Sequence, residues 1–190
     1  MPKSEQQAGG SIAIVPATLR DIAFVTANLR PEDRREIRAS ADLASTVEAA
    51  IIAHETSKGW SWTAQIAGQP IAAFGTAETS VLTPHIRTAW AFGTRRFRRA
   101  VPAISRFART VWPDRLAGEG VRRLEVRSLA GHDIAHRWLA GLGGRLEGEL
   151  MHYGTGGETF QLWAWTSGPT DRWRPLPGLG AKRHSEIHER

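Results

Sequence analysis

The sequence predicts a mixed α/β domain built on one central sheet of about six or seven strands flanked by about four helices. Three observations carry this. The chain has 190 residues, 41% of them hydrophobic and 23% charged, enough for one sizeable core and too few for two ordinary ones. Segments of period 2 and period 3.6 alternate along it in the order β-α-α-β-β-β-α-β-α-β-β. Glycine-bearing turn signals fall between those segments, and no repeat at solenoid spacing interrupts the order.

Each element has its own warrant. IAIVPA reads as a short strand, and TLRDIAFVTANL places Leu19, Ile22, Ala23, Val25 and Leu29 at amphipathic-helix spacing. RPEDRREIRAS reads as a proline-started, charged helical turn. Residues 44–54 form a second helix, stopped by Lys58-Gly59. WSWTAQIAG and QPIAAFGTAE are two strands turned at Gly68-Gln69. HIRTAWAF puts Ile86, Thr88, Trp90 and Phe92 on one face of a half-buried strand. In RRFRRAVPAISRFARTVW, Phe97, Val101, Ile104, Phe107, Ala108 and Val111 recur at helical spacing opposite the arginines, with Pro102 expected in the first turn. VRRLEVRSL, a helix HDIAHRWLAGLG, GRLEGELMHYG, a GTGGE turn and TFQLWAW close the domain. The domain is expected to span residues 12–166, between a flexible N-terminus (1–11) and a Pro/Gly/charged tail (167–190).

Composition removes several function classes. With no cysteine there is no disulfide, Cys-ligated zinc, iron–sulfur cluster or thiol catalysis. No apolar run approaches the roughly 18 residues of a membrane span, and the N-terminal residues lack a cleavable signal peptide, so export by that route is not expected. The net charge of +6 is concentrated in residues 87–127, where eleven arginines face only Asp114, Glu119 and Glu125. Arginine's planar fork suits phosphate or carboxylate partners, and a solvated basic face is the plainer explanation.

The stretch GHDIAHRWLAGLGG holds the main chemical ambiguity. His132 and His136 are four apart, as in a zinc-binding H-E-x-x-H helix, but Asp133 stands where the longer Glu would act as base, and only His152 offers itself as a third ligand. A core helix explains more residues: Ile134, Ala135, Trp138, Leu139 and Leu142 make an apolar stripe, Asp133 suits the helix N-terminus, and Gly143-Gly144 end it. No metal site is therefore expected. No GxSxG elbow supports hydrolase chemistry, and Trp60, Trp62, Trp90, Trp163 and Trp165 alternate in strands as core or sheet-face residues would, in preference to a base-stacking platform.

The same stretch, followed by RLEGEL, resembles the N-x-x-[AS]-x-R-x-L-x-x-L-G-F…E-G pattern late in GNAT N-acetyltransferases, through Ala135, Arg137, Leu139, Leu142, Gly143, Glu147 and Gly148. The upstream element order is also similar, so the resemblance covers about residues 12–166. More narrowly, AWAFGTRRFRR, the basic helix, this stretch, GGETFQLWAWT and LRPEDRREIRAS together resemble the small GNAT-like internal virion proteins of short-tailed, podovirus-type phages.

The resemblance implies acetyl-CoA as cofactor. It would lie against Trp90, Phe92, Gly93, Thr94, Arg95, Arg96, Arg98 and Arg99, with His132 and Arg137 on the later helix. Such proteins hold the pyrophosphate on backbone N–H groups of a glycine-rich loop entering a helix. Here the loop has one glycine before it and none within it, so side chains of Thr94 and the arginines would have to supply donors and charge. The motif's Asn is His132, and the position of a general-acid Tyr is Leu139, which cannot donate a proton. Glu78 and His85 are the candidates for general base.

These departures favour a phage-encoded, virion-associated GNAT-like protein with a degenerate acetyl-CoA loop, located in the virion or the host cytoplasm with other virion proteins as partners. The alternative is an active N-acetyltransferase acting on a protein or small amine. A second alternative is nucleic-acid binding through the arginine-rich helix.

Overall fold

A computed structural model describes residues 11–167. The expected flexible N-terminus and charged tail therefore lie outside the described residues, apart from Ser11 and Ser167. The elements run β1 (Ile12–Pro16), α1 (Leu19–Ala27), α2 (Pro31–Ser40), α3 (Thr46–Ser57), β2 (Ser61–Ile66), β3 (Gln69–Glu78), β4 (Ile86–Gly93), α4 (Phe97–Thr110), α5 (Trp112–Gly118), β5 (Arg123–Leu129), α6 (Asp133–Gly141), β6 (Arg145–Leu150) and β7 (Phe160–Thr166).

The seven strands form one sheet in the order β1-β2-β3-β4-β5-β7-β6. Every neighbouring pair is antiparallel except β4 and β5, which the α4–α5 crossover makes parallel. Among the described residues the helices number six, two more than the pattern suggested. Within RPEDRREIRAS, Pro31–Ser40 is a full ten-residue helix and not a turn, with Pro31 at its start and Glu32 and Asp33 in its first turn. The basic helix breaks at Val111, where Trp112-Pro113 start α5 separately. Pro102 lies inside α4, beyond the first turn expected for it.

Local chemistry explains the other boundaries. Thr18 and Asp21 cap α1 reciprocally: the Asp21 N–H donates to Thr18 Oγ1 and the Thr18 N–H to Asp21 Oδ2, both at 3.2 Å. The β2–β3 hairpin turns one residue earlier than expected. Ile66 faces Gln69 across it, and Ala67 and Gly68 take φ of 50° and 76°, the two positive φ values of a type I′ turn.

Alternation of side chains divides the core between the two faces of the sheet. On one face α1 and α3 cover Ala73 and Phe92 with Ile22, Val25, Ala50 and Ala53. On the other, Phe97, Ile104, Leu116 and Leu139 pack against Trp62, Phe74 and Leu124. Trp60, which precedes β2, and Trp62, Trp163 and Trp165 within strands are buried in the core, and Trp90 is half-buried against Phe92. Helix α2 spans the first face: Ile37 joins the α1/α3 cluster, while Ala39 packs with Leu129 and Phe160 on the far half of the sheet.

Candidate functional site

The site begins where the parallel pair comes apart. β4 and β5 are in register only from Ile86↔Arg123 to Thr88↔Glu125. Beyond that β4 follows β3 to Ala72↔Gly93, and β5 follows β7 to Leu129↔Phe160. The sheet therefore opens into a V. A cavity of about 430 Å³ fills it, lined by Trp90, Phe92, Val126, Trp138 and Leu139, with Thr88, Arg127, Ser128 and His132 among its polar groups. An unpaired strand edge beside an apolar slot suits an extended, amide-bearing ligand arm, which can hydrogen-bond as an added strand would.

At the open end, α2 is tied to both arms of the V. Arg30 N–H donates to the Gly93 carbonyl at 2.9 Å, and Gly93 N–H donates to Asp33 Oδ2 at 2.7 Å. Asp33 is 4% exposed and pairs with Arg30 at 2.7 Å. Burial pushes its carboxyl above the usual range, opposed by the Arg30 pair, the Gly93 N–H and the charge of His132. One turn on, Glu36 meets His132 Nδ1 at the start of α6, and Ser128 Oγ lies 3.5 Å from the same carboxylate oxygen. His132 is 8% exposed, and its Nε2 is buried without a hydrogen-bond partner among the described residues.

The loop from β4 into α4 is folded onto the protein itself. Thr94 N–H and Oγ1 both donate to the Ile71 carbonyl, Arg96 N–H donates to Thr94 Oγ1, and Phe97 N–H donates to the Thr94 carbonyl. Gly93 allows this closeness: a Cβ there would stand 2.4 Å from the Phe97 ring and 2.9 Å from the Ile71 carbonyl oxygen. What the loop presents outward is charge. Arg95, Arg96, Arg98 and Arg99 are exposed, α4 has no acidic residue in its first turn, and among the described residues these arginines form no salt bridge. Arg96 alone is tethered, donating to Gln69 Oε1 at 3.2 Å.

The residues named from the sequence thus fall into three places. Trp90, Phe92 and His132 line the cleft; Gly93, Thr94 and Arg95, Arg96, Arg98 and Arg99 form its basic lip. Arg137 lies outside it, in a groove between α4 and α6 with Arg106, Arg109 and Trp138. Glu78 and His85 sit at the closed end of the V. Glu78 pairs with Lys58 at 2.6 Å, which holds its carboxyl below the usual range, and His85 is exposed in the β3–β4 loop. Leu139 is buried and lines the cleft. His136 stacks on Trp163, centroids 5.7 Å apart, away from the cavity.

Sequence reasoning did not single out Asp33, Glu36, Arg127, Ser128 or Tyr153. Asp33 and Glu36 carried a readable signal, a carboxylate pair at i, i+3 on one helical face. Tyr153, the chain's only tyrosine, lines the cavity from the β6–β7 loop against Phe160.

The fold is that of the GNAT acetyltransferases. The chain is similar to yncA of Salmonella typhimurium, described as an acetyltransferase and solved with its cofactor acetyl-CoA: TM-score 0.66, 10% identity, covering 85% of this chain and 97% of that one. It is similar to an N-acetyltransferase from Staphylococcus aureus Mu50, with TM-score 0.64 and 14% identity over 83% of this chain and 99% of that one. RimJ of Mycobacterium smegmatis, solved with CoA-disulfide, gives TM-score 0.59 and 13% identity over 83% of each chain. No protein-family model and no curated protein sequence matches the chain. Among the described residues no helix is long and apolar enough to cross a membrane.

Proposed function

We propose that the chain is an acyltransferase that takes an acyl group from an acyl-CoA, acetyl-CoA in the simplest case, and delivers it to an amine. The observation that carries this is the parting of β4 from β5 after Thr88, which leaves an apolar slot ending at a basic helix N-terminus. The slot fits a pantetheine arm. The α4 terminus, with its dipole and four exposed arginines that form no salt bridge among the described residues, fits a diphosphate held by side chains, since several loop N–H groups are already engaged. When bound, the thioester supplies the activated carbonyl; the chain's part is to align it and to manage the proton of the amine.

Titration calorimetry with acetyl-CoA, and with CoA as control, tests this reading. Binding accompanied by a rise in Tm is expected, because a ligand that binds only the native state must stabilise it. Absence of both at millimolar acetyl-CoA would overturn it.

A second reading is favoured by the loop itself. Gly93, Thr94, Arg96 and Phe97 spend their N–H groups internally, as a scaffold with no cofactor to hold would do. In that reading the chain is a phage-encoded, non-catalytic protein packaged in the virion beside other virion proteins. Mass spectrometry of purified particles decides it: absence from particles removes the packaged scaffold.

A further inference from the structure

We propose that His132, oriented by Glu36, is the proton acceptor for the amine in the cleft between β4 and β5; this rests on the acyl-transfer reading above. Four observations converge on the pair. His132 is 8% exposed, at the open end of the V where β5 has ended and α6 begins. Its Nδ1 is bonded to the Glu36 carboxylate. A carboxylate only accepts, so Nδ1 is the protonated nitrogen toward Glu36, and in the neutral imidazole the lone pair then lies on Nε2. That Nε2 is buried and has no hydrogen-bond partner among the described residues, while the ring lines the cavity. A buried polar atom left unsatisfied costs about 1–3 kcal/mol, which a fold tolerates where a ligand supplies the missing partner.

The competing groups do not meet these conditions. His136 Nε2 is also buried and unpartnered, but its ring lies on Trp163 and outside the cavity. Glu78 is paired with Lys58, and His85 is exposed at the closed end. Asp33 is committed to Arg30 and Gly93.

The step balances without any further reagent. The substrate ammonium gives one proton to His132 Nε2, and the imidazolium is held by the Glu36 carboxylate. The freed nitrogen lone pair forms the C–N bond to the thioester carbonyl carbon, the C–S bond breaks with its electron pair on sulfur, and the excess proton left on nitrogen passes to that sulfur. His132 is then the catalytic residue and Glu36 the positioning residue, a two-membered version of the base-and-orienter arrangement that general-base enzymes use.

The test combines ¹⁵N-imidazole NMR of the full-length wild type with kinetics of His132→Gln, Glu36→Gln and Glu36→Asp. Acetyl-CoA serves as donor, with a panel of arylalkylamines and free-N-terminus peptides as acceptors. In the neutral wild-type protein His132 should show Nδ1 protonated and Nε2 bare, and Glu36→Gln should abolish that tautomer preference. His132→Gln should lower kcat about 100-fold or more, with KM and acetyl-CoA affinity within about threefold of wild type. Glu36→Gln should fall between the two, with partial recovery in Glu36→Asp. An Nε2-protonated His132 overturns the inference without touching the acyl-transfer reading, as does undiminished turnover by His132→Gln. The NMR arm needs no variant, so an Nε2-protonated ring overturns the inference even where the variants fail to fold. Failure of the wild type to bind acetyl-CoA overturns both.

Discussion

The Asp33 carboxylate accepts the Gly93 N–H at 2.7 Å, so a side chain of α2 occupies the last backbone donor of β4 at the mouth of the cleft. Asp33 is buried, its second oxygen is held by Arg30, and Arg30 in turn lies over the Phe97 ring at 4.1 Å. The carboxylate therefore does two things. It satisfies a backbone group that has no strand partner and, on the acyl-CoA reading, would withhold that group from the anionic cofactor. Asp33→Ala should separate the two effects. Leaving Arg30 and the Gly93 N–H unpaired should cost about 3 kcal/mol of stability, read by urea denaturation. The same variant should bind acetyl-CoA at least as tightly as wild type by calorimetry, since a repelling charge is gone and a donor is freed. A large loss of affinity at unchanged fold would show that Asp33 aids the ligand and does not exclude it.

Gly93 should tolerate no side chain. A methyl group there would meet the Phe97 ring at 2.4 Å and the Ile71 carbonyl oxygen at 2.9 Å, one a movable ring and the other fixed backbone. Gly93→Ala is expected to destabilise by about 2 kcal/mol through overpacking. Adding Phe97→Leu should recover only part of that loss, because the carbonyl remains. Full recovery in the double variant would show that the ring alone sets the limit. Gly93 is here spent on packing the start of α4.

Much of this site was legible one element at a time, because local periodicity reports local burial. Trp90 and Phe92 were readable as one face of a strand, and they stack with centroids 4.9 Å apart. Phe97, Ile104 and Ala108 were readable as the buried stripe of α4, which they are. Helix α2 was not, since Glu32, Asp33, Arg34, Arg35, Glu36 and Arg38 leave it only Ile37 and Ala39 as apolar anchors. Its helical length comes from what it bridges, and a bridge is invisible to a window of ten residues. Glu36 and His132 stand 96 positions apart, and no spacing rule links them. Topology brings them together: α2 crosses the face of the sheet, and the parallel crossover returns β5 beside β4. The GNAT-like motif marked His132 as a departure from asparagine; its partner could emerge only from the fold.

The basic lip makes a prediction of its own. Arg95, Arg96, Arg98 and Arg99 are exposed and carry no carboxylate partner among the described residues, so removing them should leave the core untouched. Arg96→Ala with Arg99→Ala should weaken acetyl-CoA binding about tenfold or more, at roughly 1 kcal/mol per charge-assisted contact, and flatten its salt dependence. Melting temperature without ligand should stay within about 2 °C of wild type. Equal affinity in the double variant would move the diphosphate away from α4. Salt-sensitive binding of RNA or DNA that disappears in the same variant would instead point to the nucleic-acid reading of this helix.

His136 should make the protein acid-sensitive. Burial, and then the charge of neighbouring His132, hold its imidazole below the ordinary value of 6.5; the charges of Glu36 and Asp133 oppose that shift. The sign follows from linkage. Between the depressed native value and 6.5 the unfolded chain binds more protons than the folded one, so this contribution is complete above 6.5 and is lost as pH falls through that window. It levels off once the native ring is protonated as well, and its size is about 1.4 kcal/mol per unit of depression. His136→Phe keeps an aromatic ring against Trp163 and removes the titration. Urea midpoints measured from about pH 7 to pH 5 should therefore fall less steeply in the variant than in wild type, whatever the two stabilities are at pH 7. Coincident slopes would show that its ring protonates as readily folded as unfolded.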